Sequence, residues 1–341
     1  MPITAALVGY GLAGRLLHAP VMEAAGIEIA AVVSSRADEI RAERPEARVC
    51  ASLEDALALP GIDLVVLATP NHLHFEQARR ALQAGRHVVV DKPFVLTHDE
   101  AAELTNLAEA RGLALSVYHN RRWDADFLTI RRLLDENRLG RVFNYAARWD
   151  RFRPSVQQRW REEALPGAGL LYDLGPHLAD QAIQLFGMPD WVEADVFVQR
   201  EGGVVDDGFE IRAGKGPLRL SLGAASLVAD GGWRYRIDGT AGSFLKRGLD
   251  TQEATLRTGG RPTEPGFGEE TAENRGILVS GEGAREEIPS ETGRWTAFYE
   301  GIVRAIRDGG DPPVTAASAS QTVRVLDAVR QAAERHARVV L

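Results

Sequence analysis

Cysteine is almost missing from this chain: Cys50 is the only one among 341 residues. A single thiol excludes a disulfide framework and a cysteine-built zinc site, and beside apolar neighbours it reads as buried filler rather than a nucleophile. Basic charge is not in excess either. Forty Lys and Arg stand against 48 Asp and Glu, a formal charge of −8, and no basic block or tail is present to displace counterions from a phosphate backbone. Nucleic acid is therefore not an expected partner. Long apolar runs are absent, and the opening MPITAALVGYGLAG places glycines where a signal peptide needs an apolar centre. A cytoplasmic protein without a membrane partner is expected. No internal repeat or low-complexity tract is visible.

What is there fits two hydrophobic cores, because the length exceeds what one core usually serves. Residues 3 to 120 alternate short β-branched runs with helical patterns, the grammar of a parallel sheet wrapped by crossover helices. Six strands are expected: Ile3 to Val8, Ile27 to Ser34, a weak one at Arg48 to Cys50, Asp63 to Thr69, His87 to Asp91 and Leu113 to Tyr118. Ser52 with Asp55 and Thr97 with Glu100 read as N-terminal caps, and Gly26, Gly85 and Gly112 as helix ends. Beyond residue 120 the segment HNRRWDADF leads into a helix ending at Gly140, and a long strand from Val142 to Phe152 follows. From Trp191 to Lys246 strand follows strand between Gly-rich turns, which means a large, mostly antiparallel sheet. Residues 258 to 270 form a Pro/Gly loop, and two helices, Trp295 to Arg307 and Ala316 to His336, close the chain. The expected architecture is α/β plus α+β: a Rossmann dinucleotide-binding domain over 1–120, and a substrate-binding and oligomerisation domain over 121–341. An uncovered sheet face in the latter would pair subunits into a dimer or tetramer.

Gly9, Gly11 and Gly14 form G-x-G-x-x-G directly after a strand and at the mouth of a helix, with Leu12 and Ala13 inside the turn. The first glycine permits the tight turn, the second lets backbone approach a pyrophosphate, and the third allows close helix packing. The second strand runs out into Ser34, Ser35 and Arg36, where an NAD site usually carries a carboxylate; hydroxyls and a guanidinium suit a 2′-phosphate, so NADP(H) is expected over NAD(H). Thr69, Pro70, Asn71 and His74 lie at the carboxyl edge of the sheet, where ligands of open α/β folds bind. His72 and His74 lack a nearby third ligand, so no metal is expected.

At that same edge stand Asp91 and Lys92, the lysine able to stabilise developing alkoxide charge. Asp173 and His177 are four apart, on one face of a helix if that helix is continuous. Pro176 leaves two geometries open: a kink in a helix that starts near Gly169, or a helix opening at its own first turn, which would favour a neutral imidazole. Histidine suits proton exchange with a hydroxyl near neutrality.

Together VGYGLAG at 8–14, TPNHLH at 69–74, DKPF at 91–94 and YDLGPHLAD at 172–180 resemble the Gfo/Idh/MocA oxidoreductase family, over essentially the whole chain. The resemblance implies that Lys92 stands near nicotinamide and substrate, that His177 is the proton donor or acceptor, and that Asp173 orients it or holds a substrate hydroxyl. Asp91 replaces the commoner Glu. GRLLHAP, HNRRWDADFLTIRRLL and DRFRP further resemble the branch of NADP-dependent scyllo-inositol 2-dehydrogenases, which implies hydride transfer at a secondary hydroxyl or keto carbon of a cyclitol or sugar. Tyr118, Asn120, Arg122, Trp123, Arg153 and Trp160 are candidates for binding such a polyol. A non-catalytic dinucleotide-binding regulator and an NAD-dependent glycosidase are the alternatives on the same fold.

Overall fold

The computed structural model describes residues 2–341 and divides them into two units, neither contiguous in sequence. The first holds the chain as far as Trp123 together with Thr251–Gly268 and Arg294–Ser320; the second holds Asp124–Asp250, Glu269–Gly293 and Gln321–Leu341.

In the first unit, six strands form a parallel sheet: β1 (Ile3–Val8), β2 (Ile27–Val33), β3 (Arg48–Cys50), β4 (Leu64–Leu67), β5 (His87–Val90) and β6 (Leu115–Val117). Their order is β3-β2-β1-β4-β5-β6, a doubly wound arrangement whose direction reverses at β1. Runs such as Leu64–Leu67 are buried throughout, as strands covered on both faces must be. The crossover helices are α1 (Ala19–Ala24), α2 (Ala37–Glu43), α3 (Leu53–Leu57), α4 (His74–Gln83) and α5 (His98–Ala110). Both expected caps form full capping boxes, Ser52 with Asp55 and Thr97 with Glu100. Gly26, Gly85 and Gly112 all take positive φ. The stretch before α1 differs from a simple helix. Residues Ala13–His18 wind as a π-helix, and Pro20, which has no N–H to donate, lies just beyond.

The second unit opens with α6 (Ala125–Asp135), shorter than expected, followed by β7 (Val142–Arg148). That strand stops four residues early, Phe152 making only an isolated bridge to Leu227. Then come α7 (Leu170–Phe186), β8 (Trp191–Phe197), β9 (Gly208–Lys215), β10 (Leu218–Ala225), β11 (Tyr235–Gly239) and β12 (Gly242–Lys246). After α8 (Gln252–Arg257) of the first unit come β13 (Gly276–Ser280) and β14 (Arg285–Ile288), which join the second unit's sheet. The helices α9 (Thr296–Asp308) and α10 (Ala316–Arg335) and the short β15 (Val339–Val340) complete the described chain. The sheet has nine strands in the order β14-β13-β12-β11-β7-β10-β9-β8-β15. Every pairing is antiparallel except β7 with β10, because the chain crosses over through α7, β8 and β9 before returning beside β7.

One face of this sheet is apolar: Tyr145, Ile211, Leu220, Leu222 and Ile237 share a core with Leu171, Leu174 and Leu178 of α7. The alternate residues are polar, among them Glu193, Arg212, Arg219 and Arg236, and some pair across strands, as Arg148 with Glu210 at 2.8 Å. In the first unit a smaller aromatic cluster draws in the late segment 294–320. Phe298 lies 4.9 Å and Tyr299 5.5 Å from the Tyr118 ring, and burial of such rings supplies the gain that holds the segment there.

Candidate active-site residues and relatives

The glycine turn has the shape its sequence demands. Gly9 sits at φ +98°, and a Cβ built there would lie 2.5 Å from the Ala68 carbonyl oxygen. A Cβ on Gly14 would lie 2.0 Å from the Gly9 carbonyl oxygen. Both positions are closed to any side chain. Gly11 is the opposite case, since a Cβ there would meet nothing within 4 Å. The backbone is thus bare on its open side, as approach of a pyrophosphate requires, and the following turns present N–H groups. A dinucleotide fits this cradle. Leu12, exposed, and Ala13, half-buried, form its lip.

At the end of β2, Ser34 accepts a hydrogen bond from the Arg36 N–H at 3.2 Å, and Ser35 and Arg36 are exposed. The sequence reading missed a neighbour: Glu39 lies 3.6 Å from the Arg36 guanidinium and 3.7 Å from that of Arg15. Thr69 donates its hydroxyl to Gln77 at 2.7 Å. Asn71 is buried in a short 3-10 turn after Pro70. His74 is fully buried, its Nδ1 2.8 Å from the Pro93 carbonyl and its Nε2 3.0 Å from the Thr69 carbonyl. The ring therefore ties the β4 exit to the β5 exit, and burial pushes its pKa down. His72 is exposed and His74 buried, so the two do not share a ligand site.

Asp91 and Lys92 are both buried where β5 ends, and the Lys92–Pro93 peptide is cis. Asp91 accepts a hydrogen bond from the Lys92 N–H at 2.8 Å, and its carboxylate lies 3.7 Å from His18 Nε2. Burial alone would raise the Asp91 pKa, but the neighbouring His18 ring, then Lys92 and His74, hold it down to about 2. His18 in turn shares a 2.6 Å hydrogen bond with the Tyr299 hydroxyl. This Tyr299–His18–Asp91 chain braces the backbone that carries Lys92. His18 stands in GRLLHAP, but its partner is 281 positions away, beyond the reach of any local pattern.

Tyr118 is a core residue, donating its hydroxyl to the Leu17 carbonyl at 3.0 Å and lying 4.2 Å from the His18 ring. Asn120 and Arg122 are buried in a 3-10 turn, where Arg122 donates to the Ser318 hydroxyl at 2.9 Å. Trp123, half-buried, packs edge-on to Phe298.

In the second unit α7 runs unbroken from Leu170 through Pro176, so Asp173 and His177 occupy one face, a turn apart. The helix starts at Gly169, whose φ of +93° leaves room for Asp206. Asp206 accepts the Leu171 N–H at 2.6 Å. Asp173 accepts a 2.9 Å bond from Arg151 and has Arg161 at 3.4 Å. His177 lies against Trp149, ring centroids 5.5 Å apart. A small cleft in this unit is lined by Asp173 and by five arginines, Arg151, Arg153, Arg159, Arg161 and Arg200. Only Arg153 of these figured in the sequence reading. Trp160 flanks it, with the Arg161 guanidinium 4.5 Å over its ring.

Two family models match the chain: "Oxidoreductase family, NAD-binding Rossmann fold" over residues 3–119, and "Oxidoreductase family, C-terminal alpha/beta domain" over 131–341. The chain is 38% identical to the Bacillus subtilis (strain 168) scyllo-inositol 2-dehydrogenase (NADP(+)) IolW, over 99% of this chain and 96% of that protein. It is 40% identical to the Escherichia coli (strain K12) oxidoreductase YdgJ, over 99% of each. Among solved structures, the oxidoreductase yvaA from Bacillus subtilis superposes with a TM-score of 0.96 at 38% identity, over 99% of this chain and 98% of that one. A levoglucosan dehydrogenase in complex with NADH and levoglucosan shares the fold, TM-score 0.83 at 18% identity, over 100% of this chain and 99% of that one.

Proposed function

The chain belongs to the Gfo/Idh/MocA oxidoreductase family and is a dehydrogenase or reductase acting on CH–OH groups; on that premise we propose an NADP-dependent enzyme whose substrate is a cyclitol or sugar, of the scyllo-inositol and inosose type. The observation that carries it is the bare Gly11 backbone at the same sheet edge as a buried, braced Lys92. Gly9, Gly11, Leu12, Ala13, Gly14, Thr69, Pro70, Asn71 and Asp91 would hold the coenzyme, with His74 fixing the two strand exits. The bound nicotinamide would supply the hydride acceptor or donor.

Lys92 would stabilise alkoxide charge at the reacting carbon, because its ammonium is fixed before the charge develops. His177 would take the hydroxyl proton or return it, and Asp173 would hold a substrate hydroxyl or orient the imidazole. Support for NADP comes from Ser34, Ser35 and Arg36, with no carboxylate on the strand end itself, and from the NADP-linked name of the Bacillus relative. Glu39 competes for the Arg36 guanidinium and tempers that preference. The first unit would serve the coenzyme and the second the polyol and the pairing of subunits, through the exposed face of its nine-stranded sheet. Light scattering showing only monomer at working concentration would remove that last element.

The test is a panel of inositols and sugars assayed with NADP+ and NAD+, and of inososes and keto-sugars with the reduced forms. His177→Ala is expected to lower kcat by about 10²- to 10⁴-fold while NADPH binding persists. No turnover with any member sinks the reading.

A further inference from the structure

The arginine cleft is unexpected for a protein that binds a neutral polyol. Hydroxyl groups both donate and accept, so sites for them mix donors with acceptors, whereas an arginine only donates. Here five arginines line one opening against three carboxylates, Glu162, Asp173 and Asp206. Each of those carboxylates is already engaged. Glu162 accepts from the Gln157 N–H at 2.8 Å, from Arg159 at 2.7 Å and from Arg200 at 3.1 Å. Asp173 is shared between Arg151 and Arg161, and Asp206 accepts the Leu171 N–H.

The balance is positive by two charges along the lining, and by one when the buried Asp207, 3.0 Å from Arg200, is included. Arg151 adds a second observation. Its side chain is largely buried, and its Nε–H has no hydrogen-bond partner among the described residues. A buried donor left unmade costs free energy until something accepts from it. Four of these guanidinium groups come from eleven residues, 151 to 161, arranged around the start of α7. Concentrating like charge in one opening is unfavourable unless an anion offsets it, and the fork of donors on arginine matches carboxylate and phosphate oxygens.

We propose that this cleft binds an anionic group of the substrate, a carboxylate or a phosphate monoester carried by the polyol. The inference rests on the hydride-transfer reading, in taking the cleft beside Asp173 as the substrate's.

Matched sugars test it: D-glucose, D-glucuronate and D-glucose 6-phosphate, and myo-inositol with its 1-phosphate. Saturating NADP+ keeps the glycine turn filled. Both kcat/KM and calorimetric binding are read. The anionic members are expected to exceed their neutral partners by about tenfold or more at low ionic strength, as charge-assisted hydrogen bonds allow, with the advantage shrinking as KCl is added. The ranking of glucuronate against glucose 6-phosphate distinguishes the two anions. Arg153→Gln is expected to cut the anionic-to-neutral ratio severalfold, and Arg153→Lys to restore part of it. Equal or better use of the neutral members overturns the anion site and leaves hydride transfer standing. A ratio untouched by Arg153→Gln and Arg159→Gln overturns it as well, making the cluster a structural ion network. If no sugar turns over, the parent reading fails, and binding alone decides: saturable heat from an anionic sugar in the wild type, lost in Arg153→Gln, sustains the site, and its absence ends it.

Discussion

Replacing Gly11 with alanine separates what the glycine turn does for a ligand from what it does for the fold. A Cβ at position 11 meets no atom within 4 Å, so the uncomplexed protein has room for it. Such a substitution changes stability by about 0.5 kcal/mol or less, which for a protein of this size is about 1–2 °C in Tm. The methyl group would instead stand where a pyrophosphate approaches the backbone. Overpacking costs about 1–3 kcal/mol, which converts to a rise of about 5- to 150-fold in the Kd for NADPH. Gly14→Ala is the mirror image. Its Cβ would lie 2.0 Å from the Gly9 carbonyl oxygen, and backbone cannot rotate away as a side chain can. That variant is expected to lose about 1–3 kcal/mol, or roughly 2–12 °C, in the absence of coenzyme. Fluorescence titration with NADPH and scanning calorimetry of the coenzyme-free protein read the two quantities separately. If Gly11→Ala destabilises as much as Gly14→Ala, or binds NADPH as tightly as the wild type, the assignment of the open backbone to the coenzyme is wrong.

Three further outcomes follow from the described geometry. Lys92→Met is expected to lower kcat by about 10²- to 10³-fold, the loss typical of removing a preorganised donor to a developing oxyanion, and steady-state rates at saturating substrate check it. Arg36→Gln should raise KM for NADP+ several-fold and leave KM for NAD+ nearly unchanged; an equal effect on both would detach Arg36 from the 2′-phosphate. Asp206 titrates at about 6, because burial raises it more than the N–H groups of Leu170 and Leu171 lower it. A carboxyl raised in the folded state stabilises most below its unfolded pKa of about 3.9, and that contribution is lost as pH rises through 6. Asp206→Asn should therefore gain about 3 kcal/mol relative to wild type at pH 8 and nothing at pH 3, measured by denaturant unfolding.

Much of the first unit could be read in advance, because its signals are local. Strands such as Leu64–Leu67 are continuous apolar runs, and Ser52 and Thr97 cap their helices with residues three positions on. Most of what the sequence did not disclose shares one physical cause, distance along the chain. Pro176 left the start of α7 open from sequence because the group that receives its first N–H groups is Asp206, 35 residues from Leu171. Strand β14 is a different case, because Arg285, Glu286 and Glu287 are exposed and no alternation marks it. The arginines of the cleft were visible one by one, but Arg200 is brought to it by partners far back in the chain, Ser155 and Glu162, the latter 38 residues earlier. Tyr299, which braces His18, falls in the same class.

The interleaving of the two units bears on how the protein can be made. A ribosome that has emitted the first 123 residues has delivered all six parallel strands, yet the aromatic cap on β6, with Phe298 and Tyr299, is still to come. The nine-stranded sheet is likewise left with an open margin at β8 until residues 339 and 340 pair with it. The first unit therefore cannot be completed until most of the second has been made, and cutting the gene near codon 120 would release a first fragment without its aromatic cap and a second that keeps the whole nine-stranded sheet but carries segments 251–268 and 294–320 away from the unit they belong to.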